Sequence, residues 1–348
     1  MLLASVLCYA ETISASDERV SWIGRTEVVD GAVSFDWSAT TLRLRFNGSS
    51  LTMKCSDTHR DYFNLWIDKA QGADLTSVVK VDCDSTIVLF KAKKKGTHEV
   101  ILQKRTEGEQ GTATIVSFTT DGSFLTAPAK KARTIEFIGD SYTCGYGTEA
   151  PSRDAPFKAE TENPALTYAD IIGRLFDAEA IHISHSGRGI IRNYGDYNPT
   201  SNMVKLYAQT YDMHSEALWT PSYTPDLVVI YLGTNDFSTG KQPNLGAWCA
   251  NYAKLLRQVR TYYGEAVPII CMASMADEQM DDYVEQAVRR SGVAGVHFCS
   301  VLAEAHNSDG DLGASWHPNY KGHRKVASIL APYVSTVTGW ELPFKVYE

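Results

Sequence analysis

The stretch IEFIGDSYTCGYG, Ile135–Gly147, decides the fold class of the chain and raises its main functional question. A short apolar run ends in Asp140-Ser141, and small and aromatic residues follow it. In an open α/β sheet, ligands bind at the carboxyl ends of strands, where the next helix offers free backbone N–H groups. A serine at this position is typical of a nucleophile, but Asp and Ser are also preferred helix N-cap residues. The stretch alone leaves both interpretations open.

Four more apolar runs follow the first, and helix-like segments separate them. The five runs are TIEFIGDS, AIHISHSG, DLVVIYLGTND, VPIICMAS and GVHFCSV, and the clearest helical patterns are ALTYADIIGRLF and AWCANYAKLLRQVRTYY. Hydrophobicity in the runs is continuous rather than alternating, which indicates strands covered on both faces by crossover helices. The sequence therefore predicts an α/β domain with a parallel sheet over residues 134–348.

The chain before this domain alternates with period two. In TTLRLRFNGSSLTMKC, an Asn47-Gly48 pair separates two alternating runs, and this pattern predicts a hairpin that sets Leu44 opposite Leu51 and Leu42 opposite Met53. Similar runs follow in DYFNLWID, STIVLFKA, THEVILQKR and ATIVSFTT, separated by turns rich in Gly, Asp and Lys. We therefore predict an antiparallel, jelly-roll-like β-sandwich over residues 1–125, joined by a linker at 126–133.

Composition narrows the range of partners. The 348-residue chain carries a net charge of -8 with scattered lysines and arginines, which argues against nucleic acid and anionic membrane surfaces. No apolar run reaches the length of about 18 residues that a membrane span needs. The 7 cysteines lie far apart and are odd in number, so neither a zinc ribbon nor a fully paired framework is predicted, although a Cys55–Cys83 bridge stays open.

The first ten residues, MLLASVLCYA, resemble the end of a secretory h-region but lack a basic n-region. They predict a secreted or periplasmic protein, with a first β-strand as the alternative interpretation.

Small or polar residues follow three of the apolar runs, and a histidine precedes the last helical pattern: Gly139–Ser141, Ser186–Arg188, Gly233–Asp236 and His317. Acyl transfer needs a nucleophile, a base and donors aimed at the developing oxyanion. Ser141 fits the nucleophile and His317 the base. The N–H groups of Ser141 and Gly187 and the side-chain amide of Asn235 fit the oxyanion donors.

Each of these residues also has an ordinary structural explanation. Gly187 suits a turn, Asn235 an Asx turn, and His317 the residue before a helix that starts after Pro318. Their occurrence together, in order and at successive strand ends, favours a hydrolase.

The four segments resemble the SGNH (GDSL-type) hydrolases, whose named residues match Ser141, Gly187, Asn235 and His317. The preceding segments SWIGRTEV, FDWSATTLRLRF and DYFNLWID are similar to carbohydrate esterase family 2, which joins a jelly-roll domain to an SGNH domain. The resemblance implies removal of acetyl groups from plant polysaccharides such as xylan and glucomannan, with a preference for primary 6-hydroxyl positions of glucose or mannose units. It implies no metal and no cofactor.

One position departs from the SGNH pattern. The aspartate that usually orients the histidine lies three residues before it, and this chain has Ala314 there. Asp309 and Asp311 are nearby candidates for an orienting acid. Some members of the family work as a Ser-His dyad in which a backbone carbonyl orients the imidazole, and we predict that arrangement here.

Further candidates come from the predicted site loops. Sugar rings stack on aromatic faces, and polar groups near the nucleophile suit sugar hydroxyls. His182 and His185 point to opposite faces of a predicted strand and are not expected to share a metal, and Cys144 is expected to pack behind the nucleophile. The candidate substrate-binding residues are Asp140, Arg188, Trp316, Trp219 and Tyr146.

The leading hypothesis is a serine esterase that removes O-acetyl groups from polysaccharides or oligosaccharides. One alternative is a carbohydrate-binding protein with a residual hydrolase domain. Another is an SGNH lipase or thioesterase with a longer acyl chain. Hydrolysis of 4-nitrophenyl acetate tests the first alternative, and comparison of acetyl with octanoyl esters tests the second.

Overall fold

A computed structural model describes residues 10–72, 74–196, 201–213, 217–273, 278–301, 305 and 307–342. The first nine residues of MLLASVLCYA, which carry the prediction of an export signal, lie outside the described residues. The described chain divides into two compact units. The first contains the residues up to Asp36, Thr40–Lys104 and Gln110–Lys130, and the second contains Trp37–Ala39, Arg105–Glu109 and the residues from Lys131 onward.

The described part of the first unit is an antiparallel β domain of ten strands. They are β1 Glu11–Ser14, β2 Val20–Ile23, β3 Glu27–Val29, β4 Ala32–Phe35, β5 Thr41–Asp57, β6 Asp61–Ile67, β7 Ser77–Val81, β8 Ser85–Lys104, β9 Ala113–Thr120 and β10 Ser123–Leu125. The main strand order is β3-β4-β9-β5-β8-β6-β7, with β1 on β9 and with β2 and β10 on β5. Alternating side chains such as Leu42, Leu44, Leu51 and Met53 are fully buried in its core, as the period-two pattern predicts.

The hairpin predicted at Asn47-Gly48 is wrong. Strand β5 passes straight through these residues, and Gly48 pairs with Gly96 of β8. From Gly48 to Ser50 the register on β8 moves from Gly96 to Lys91, so the Lys-rich stretch bulges within β8 instead of forming a turn. The alternation of apolar residues changes register at this bulge, and the hairpin prediction attributed that change to a turn.

Neighbouring groups explain why the chain continues here. Asp121 accepts hydrogen bonds from the backbone N–H groups of Ser49 at 2.7 Å and Ser50 at 3.1 Å, which satisfies the irregular segment without a turn. A Cβ atom on Gly48 would lie 2.4 Å from the Thr120 hydroxyl. Glycine is therefore required at position 48 by close packing and not by hairpin geometry.

The second unit has the predicted α/β architecture. Its strands are β11 Arg133–Gly139, β12 Ala178–Ser184, β13 Leu227–Tyr231, β14 Ile269–Ala273 and β15 Val296–Ser300. Its helices are α1 Ser141–Cys144, α2 Tyr168–Leu175, α3 Met203–Leu206, α4 Leu245–Tyr263, α5 Glu278–Arg290 and α6 Tyr320–Thr338, with shorter 3-10 helices between them. The strand order is β12-β11-β13-β14-β15, and the described pairs in this sheet are parallel. The predicted fold class is confirmed.

The topology of this sheet brings the candidate residues together. Strands β12, β11 and β13 are neighbours, so the segments that follow their carboxyl ends share one edge of the sheet. All residues of β13 and β14 are buried, which agrees with their continuous apolar sequences.

The cysteines of the described residues are free, so Cys55 and Cys83 form no bridge in the structure. Within the described ranges, no helix combines the length and apolarity that crossing a bilayer requires.

Candidate active site

Ser141 is the first residue of helix α1 and directly follows Asp140 at the end of β11. The Asp140 carboxylate caps this helix by accepting the Tyr142 N–H at 3.1 Å. The helix cap and the candidate nucleophile, the two interpretations of this stretch, are therefore the adjacent residues Asp140 and Ser141. The Ser141 Oγ atom lies 2.7 Å from His317 Nε2, within the hydrogen-bond distance expected of a nucleophile and its base.

A backbone carbonyl orients the His317 ring. The Nδ1 atom lies 3.0 Å from the carbonyl oxygen of Ser315, so Nδ1 carries the proton and Nε2 is left to accept one from Ser141. Ser315 has φ 51° and Trp316 has φ 66°, a left-handed conformation that is uncommon for residues other than glycine. Their N–H groups donate to the carbonyls of Ala155 and Arg153, each at 3.2 Å, and these bonds hold the loop in place.

The two candidate orienting acids are engaged elsewhere. Asp309 is exposed and forms an ion pair with Arg153. Asp311 is buried and accepts hydrogen bonds from Ser308 at 2.5 Å and Lys325 at 2.6 Å. Among the described residues, neither carboxylate contacts His317.

The electrostatics of His317 suit a general base. Burial lowers the pKa of His317 to about 4, and only the backbone carbonyls of Ser315 and Ala314 oppose the shift. Near neutral pH the imidazole is therefore uncharged and able to accept the proton of Ser141.

This low pKa predicts the pH dependence of hydrolysis. The rate falls at acid pH because imidazolium cannot accept a proton, so we expect the acid limb of kcat/KM at about pH 4 instead of the ordinary histidine value of about 6.5. The measurement is kcat/KM for a neutral acetyl ester across the pH range in which the fold is retained.

The control for this profile is Asp140→Asn. Burial raises the pKa of Asp140 to about 7, so an inflection near neutral pH that this substitution abolishes belongs to Asp140. An acid limb near about 6.5 that persists in the variant contradicts the prediction for His317.

Gly187 occupies a tight turn after β12. Arg188 N–H donates to the His185 carbonyl at 3.3 Å, and Gly187, at φ 76°, takes the left-handed position that glycine adopts without strain. Within the described ranges, the N–H groups of Ser141 and Gly187 have no acceptor in the protein. Both are available to an oxyanion.

Asn235 lies in the 3-10 helix Thr234–Phe237 after β13. Its amide nitrogen donates to the Arg188 carbonyl at 2.9 Å and to Asp140 Oδ2 at 3.2 Å. These bonds tie the three strand-end segments together. An oxyanion would share the amide with one of these acceptors.

A pocket of about 300 Å³ opens over the nucleophile. Two of its aromatic side chains are unusually exposed, Tyr194 at 74% and Trp316 at 57%. The Arg153 guanidinium lies over the Trp316 ring, 4.1 Å from its centroid. The lining residues are Ser141, Tyr142, Tyr194, Thr234, Asn235, Phe237, Ser238, Met280, Ser315, Trp316 and His317.

Comparison with known proteins identifies the family. Residues 22–128 match the model of the carbohydrate esterase 2 N-terminal domain, and residues 137–325 match the GDSL-like lipase/acylhydrolase family. A solved family two carbohydrate esterase from Clostridium thermocellum, in complex with cellohexaose, has a TM-score of 0.84 and 30% identity, covering 92% of this chain and 100% of that one. The chain belongs to carbohydrate esterase family 2. It is therefore a carboxylic-ester hydrolase.

Curated relatives agree with this family. An acetylxylan esterase / glucomannan deacetylase of Cellvibrio japonicus is 29% identical to this esterase. The aligned region covers 97% of this chain and 96% of the relative. A cellulase/esterase of Acetivibrio thermocellus is 32% identical over 87% of this chain. The chain spans only 38% of the length of that second relative.

The structure places three candidate substrate-binding residues of the esterase outside the pocket lining. Trp219 is buried and packs against Tyr223, Tyr262 and Tyr263. Asp140 is fully buried, and its two carboxylate oxygens bind Tyr142 N–H and the Asn235 amide. The Arg188 side chain donates to the Ser201 carbonyl at 3.4 Å.

Tyr146 lies behind the catalytic pair of the esterase. Its ring centroid is 4.4 Å from that of His317, and its other neighbour is Phe157, stacked at 4.0 Å. Packing of this kind contributes to the burial that lowers the pKa of His317. Trp316 is the one candidate substrate contact from the sequence that lines the pocket. Tyr194 also lines it and lies in the Tyr-rich connection between Ile191 and Pro225, a long loop of the kind that often shapes substrate access, in which the sequence does not single out this residue.

The described histidines of "IHISH" do not form a metal site. His182 contacts the Thr143 carbonyl at 3.1 Å, and His185 pairs with Asp212 at 2.6 Å. Three other potential ligands, Glu107, Cys144 and Glu162, are buried close together. Burial and the neighbouring carboxylates raise the pKa of the Cys144 thiol well above its usual value, so the thiol is protonated in the metal-free protein.

Proposed function

We propose that this esterase removes O-acetyl groups from plant polysaccharides or oligosaccharides such as xylan and glucomannan through an acyl-enzyme on Ser141. The observation that carries the proposal is the 2.7 Å contact between Ser141 Oγ and a neutral His317 beneath an open pocket rimmed by aromatic side chains. The pocket aromatics suit the apolar face of a sugar ring.

Acylation begins with attack of Ser141 Oγ on the acetyl carbonyl. His317 Nε2 takes the hydroxyl proton, while the Ser315 carbonyl holds Nδ1–H and fixes the tautomer. The N–H groups of Ser141 and Gly187 and the Asn235 amide stabilise the charge on the former carbonyl oxygen. When the tetrahedral intermediate collapses, the bond between the carbonyl carbon and the sugar oxygen breaks, and His317 gives its proton to that oxygen.

Deacylation repeats the same chemistry with water. His317 removes a proton from water as the water oxygen attacks the acetyl-Ser141 ester, and acetate leaves when Ser141 Oγ regains the proton. The protein supplies all the acid–base groups that acylation and deacylation require.

The names of the relatives support the substrate class. The Cellvibrio japonicus relative is an acetylxylan esterase / glucomannan deacetylase, and the Clostridium thermocellum structure contains cellohexaose. By family resemblance, we further propose a preference for 6-O-acetyl groups of hexose units. Polymeric substrates of this kind are met outside the cytoplasm, which supports the proposal that the protein is secreted or periplasmic.

The test is product NMR on acetylated glucomannan during hydrolysis. We expect the 6-O-acetyl resonances to decrease first. Earlier loss from ring hydroxyl positions would overturn the positional preference, and unchanged acetyl resonances would overturn the deacetylase. Faster cleavage of octanoyl than acetyl esters would instead support the lipase or thioesterase alternative.

We expect substitution of the exposed aromatic residues of the pocket to weaken the binding of sugar substrates without slowing the chemical steps. We expect Trp316→Ala and Tyr194→Ala each to lower kcat/KM for an acetylated oligosaccharide by about tenfold, mainly through KM, because each loses one stacking surface. For 4-nitrophenyl acetate, which has no sugar, the change should stay within about threefold.

Tyr333→Ala is the matched control for these variants. Tyr333 is 38% exposed on helix α6 and is not part of the pocket lining. Equal losses on both substrates in the Trp316 and Tyr194 variants, or no loss on the oligosaccharide, would rule out their role as sugar platforms.

A further inference from the structure

A buried carboxylate holds the turn that carries Gly187. Glu107 Oε2 accepts the backbone N–H of Ser186 at 2.6 Å, and the Glu107 side chain is 1% exposed. The peptide that supplies this N–H immediately precedes the peptide that supplies the Gly187 N–H. The orientation of the second peptide therefore depends on how firmly the first is held.

The same carboxylate contacts the helix that begins with the nucleophile. Cys144 Sγ, at the end of α1, lies 3.6 Å from Glu107 Oε2. Glu107 thus contacts both segments that supply main-chain donors to the proposed oxyanion site. None of the sequence motifs pointed to this residue, which comes from the connection between β8 and β9.

Burial and charged neighbours act in opposite directions on the Glu107 carboxyl group. The net effect raises the pKa of Glu107, because burial outweighs the positive charge of His185 and the hydrogen bonds from Ser186, which lower it. His185 is buried, which disfavours its charge, but Asp212, Glu109 and Glu107 raise its pKa to about 10. The imidazolium of His185 lies 2.6 Å from Asp212 through Nδ1, directly at the start of the turn.

We propose that Glu107 is a positioning residue of the esterase, which holds the Ser186–Gly187 segment so that the Gly187 N–H faces the developing oxyanion. The inference rests on the proposed oxyanion role of Gly187. It adds a residue that touches neither the substrate nor the reacting atoms. A purely structural residue would change stability without changing how the enzyme distinguishes oxygen from sulfur at the reacting carbonyl.

The test compares phenyl acetate with phenyl thionoacetate. Sulfur is a poor hydrogen-bond acceptor, so the thionoester gains little from the oxyanion donors, and the ratio of the two kcat/KM values measures their placement. In Glu107→Ala we expect a loss of about 30- to 100-fold on phenyl acetate and of less than about fivefold on the thionoester, as for a small misplacement of catalytic groups.

Two conservative variants separate hydrogen bonding from charge. Glu107→Gln keeps an acceptor oxygen within reach of Ser186 N–H, and we expect it to retain the wild-type ratio within about fivefold. Glu107→Asp keeps the charge but withdraws the oxygen by one methylene, and we expect the ratio to fall by about tenfold. Glu107→Asp also provides the test should Glu107→Ala fail to fold.

Glu136→Gln is the matched control. Glu136 is a fully buried carboxylate on β11 that accepts hydrogen bonds from the hydroxyls of Tyr207, Tyr223 and Tyr263. Its substitution should change stability and leave the ratio unaltered. A wild-type ratio in the Glu107→Ala and Glu107→Asp variants would overturn the positioning role.

The outcome is separable from the proposed function. Both probes are small aryl esters, so the ratio does not depend on a polysaccharide being the substrate. Failure of the wild-type enzyme to deacetylate glucomannan would therefore overturn the proposed substrate and leave the ratio test of Glu107 intact.

Discussion

We expect Ser141→Ala to lower kcat for acetyl esters by about 10⁵- to 10⁶-fold, because loss of the nucleophile alone removes nearly all covalent catalysis in serine hydrolases. The measurement is hydrolysis of 4-nitrophenyl acetate at saturating substrate. The change deletes one hydroxyl from a side chain that is 6% exposed and creates no sizeable cavity, so the fold should be retained by circular dichroism.

Ser328→Ala provides the comparison for this variant. The Ser328 hydroxyl donates to the Arg324 carbonyl on helix α6 at 2.8 Å and is not part of the pocket lining. It should leave kcat unchanged. Retention of more than a few per cent of activity in Ser141→Ala would exclude Ser141 as the nucleophile.

The second large effect concerns His317. We expect His317→Ala to reduce kcat by about 10⁵-fold, and the double variant with Ser141→Ala to lose no more than the worse single variant, because the two groups act as one unit. The 2.7 Å contact between Ser141 Oγ and His317 Nε2 is the structural reason.

Substitution of the carboxylates nearest to His317 in the sequence, Asp309 and Asp311, is expected to have a much smaller effect on kcat. Asp309 pairs with Arg153, and Asp311 binds Ser308 and Lys325, so we expect Asp309→Ala and Asp311→Ala each to reduce kcat by less than about tenfold. Loss of a true triad aspartate in a serine protease costs about 10⁴-fold. A loss of about 10³-fold or more in either variant, with an unchanged circular dichroism spectrum, would refute the dyad.

The parallel sheet was predictable from sequence because short segments of the chain identify its strands. Each of its five strands is a continuous apolar run, and the last helix starts shortly after His317 at Tyr320. Since parallel strands end at one edge, the positions of Ser141, Gly187 and Asn235 near one another followed from topology alone.

Long-range contacts set the limits of the prediction. Asn47-Gly48 has the local signature of a hairpin, but pairing with β8 and the carboxylate of Asp121 keep the strand continuous. The surroundings of Trp219 and the reach of Glu107 to Ser186 also depend on residues far apart in the chain. No pattern within a window of sequence contains such information.

The carbonyl of Ser315, which orients His317, has a consequence for the evolution of this enzyme. In a triad, one missense change at the aspartate codon deletes the orienting group. Here the acceptor belongs to the main chain, and a substitution at Ser315 that tolerates the left-handed backbone leaves the oxygen in place. Inactivating substitutions are instead expected in the residues that hold the left-handed backbone of Ser315 and Trp316 in position. These include the segment from Arg153 to Ala155. The dyad therefore tolerates those changes of the Ser315 side chain that keep its backbone conformation, and it is vulnerable to insertions, deletions and prolines in the loop that contains Ser315.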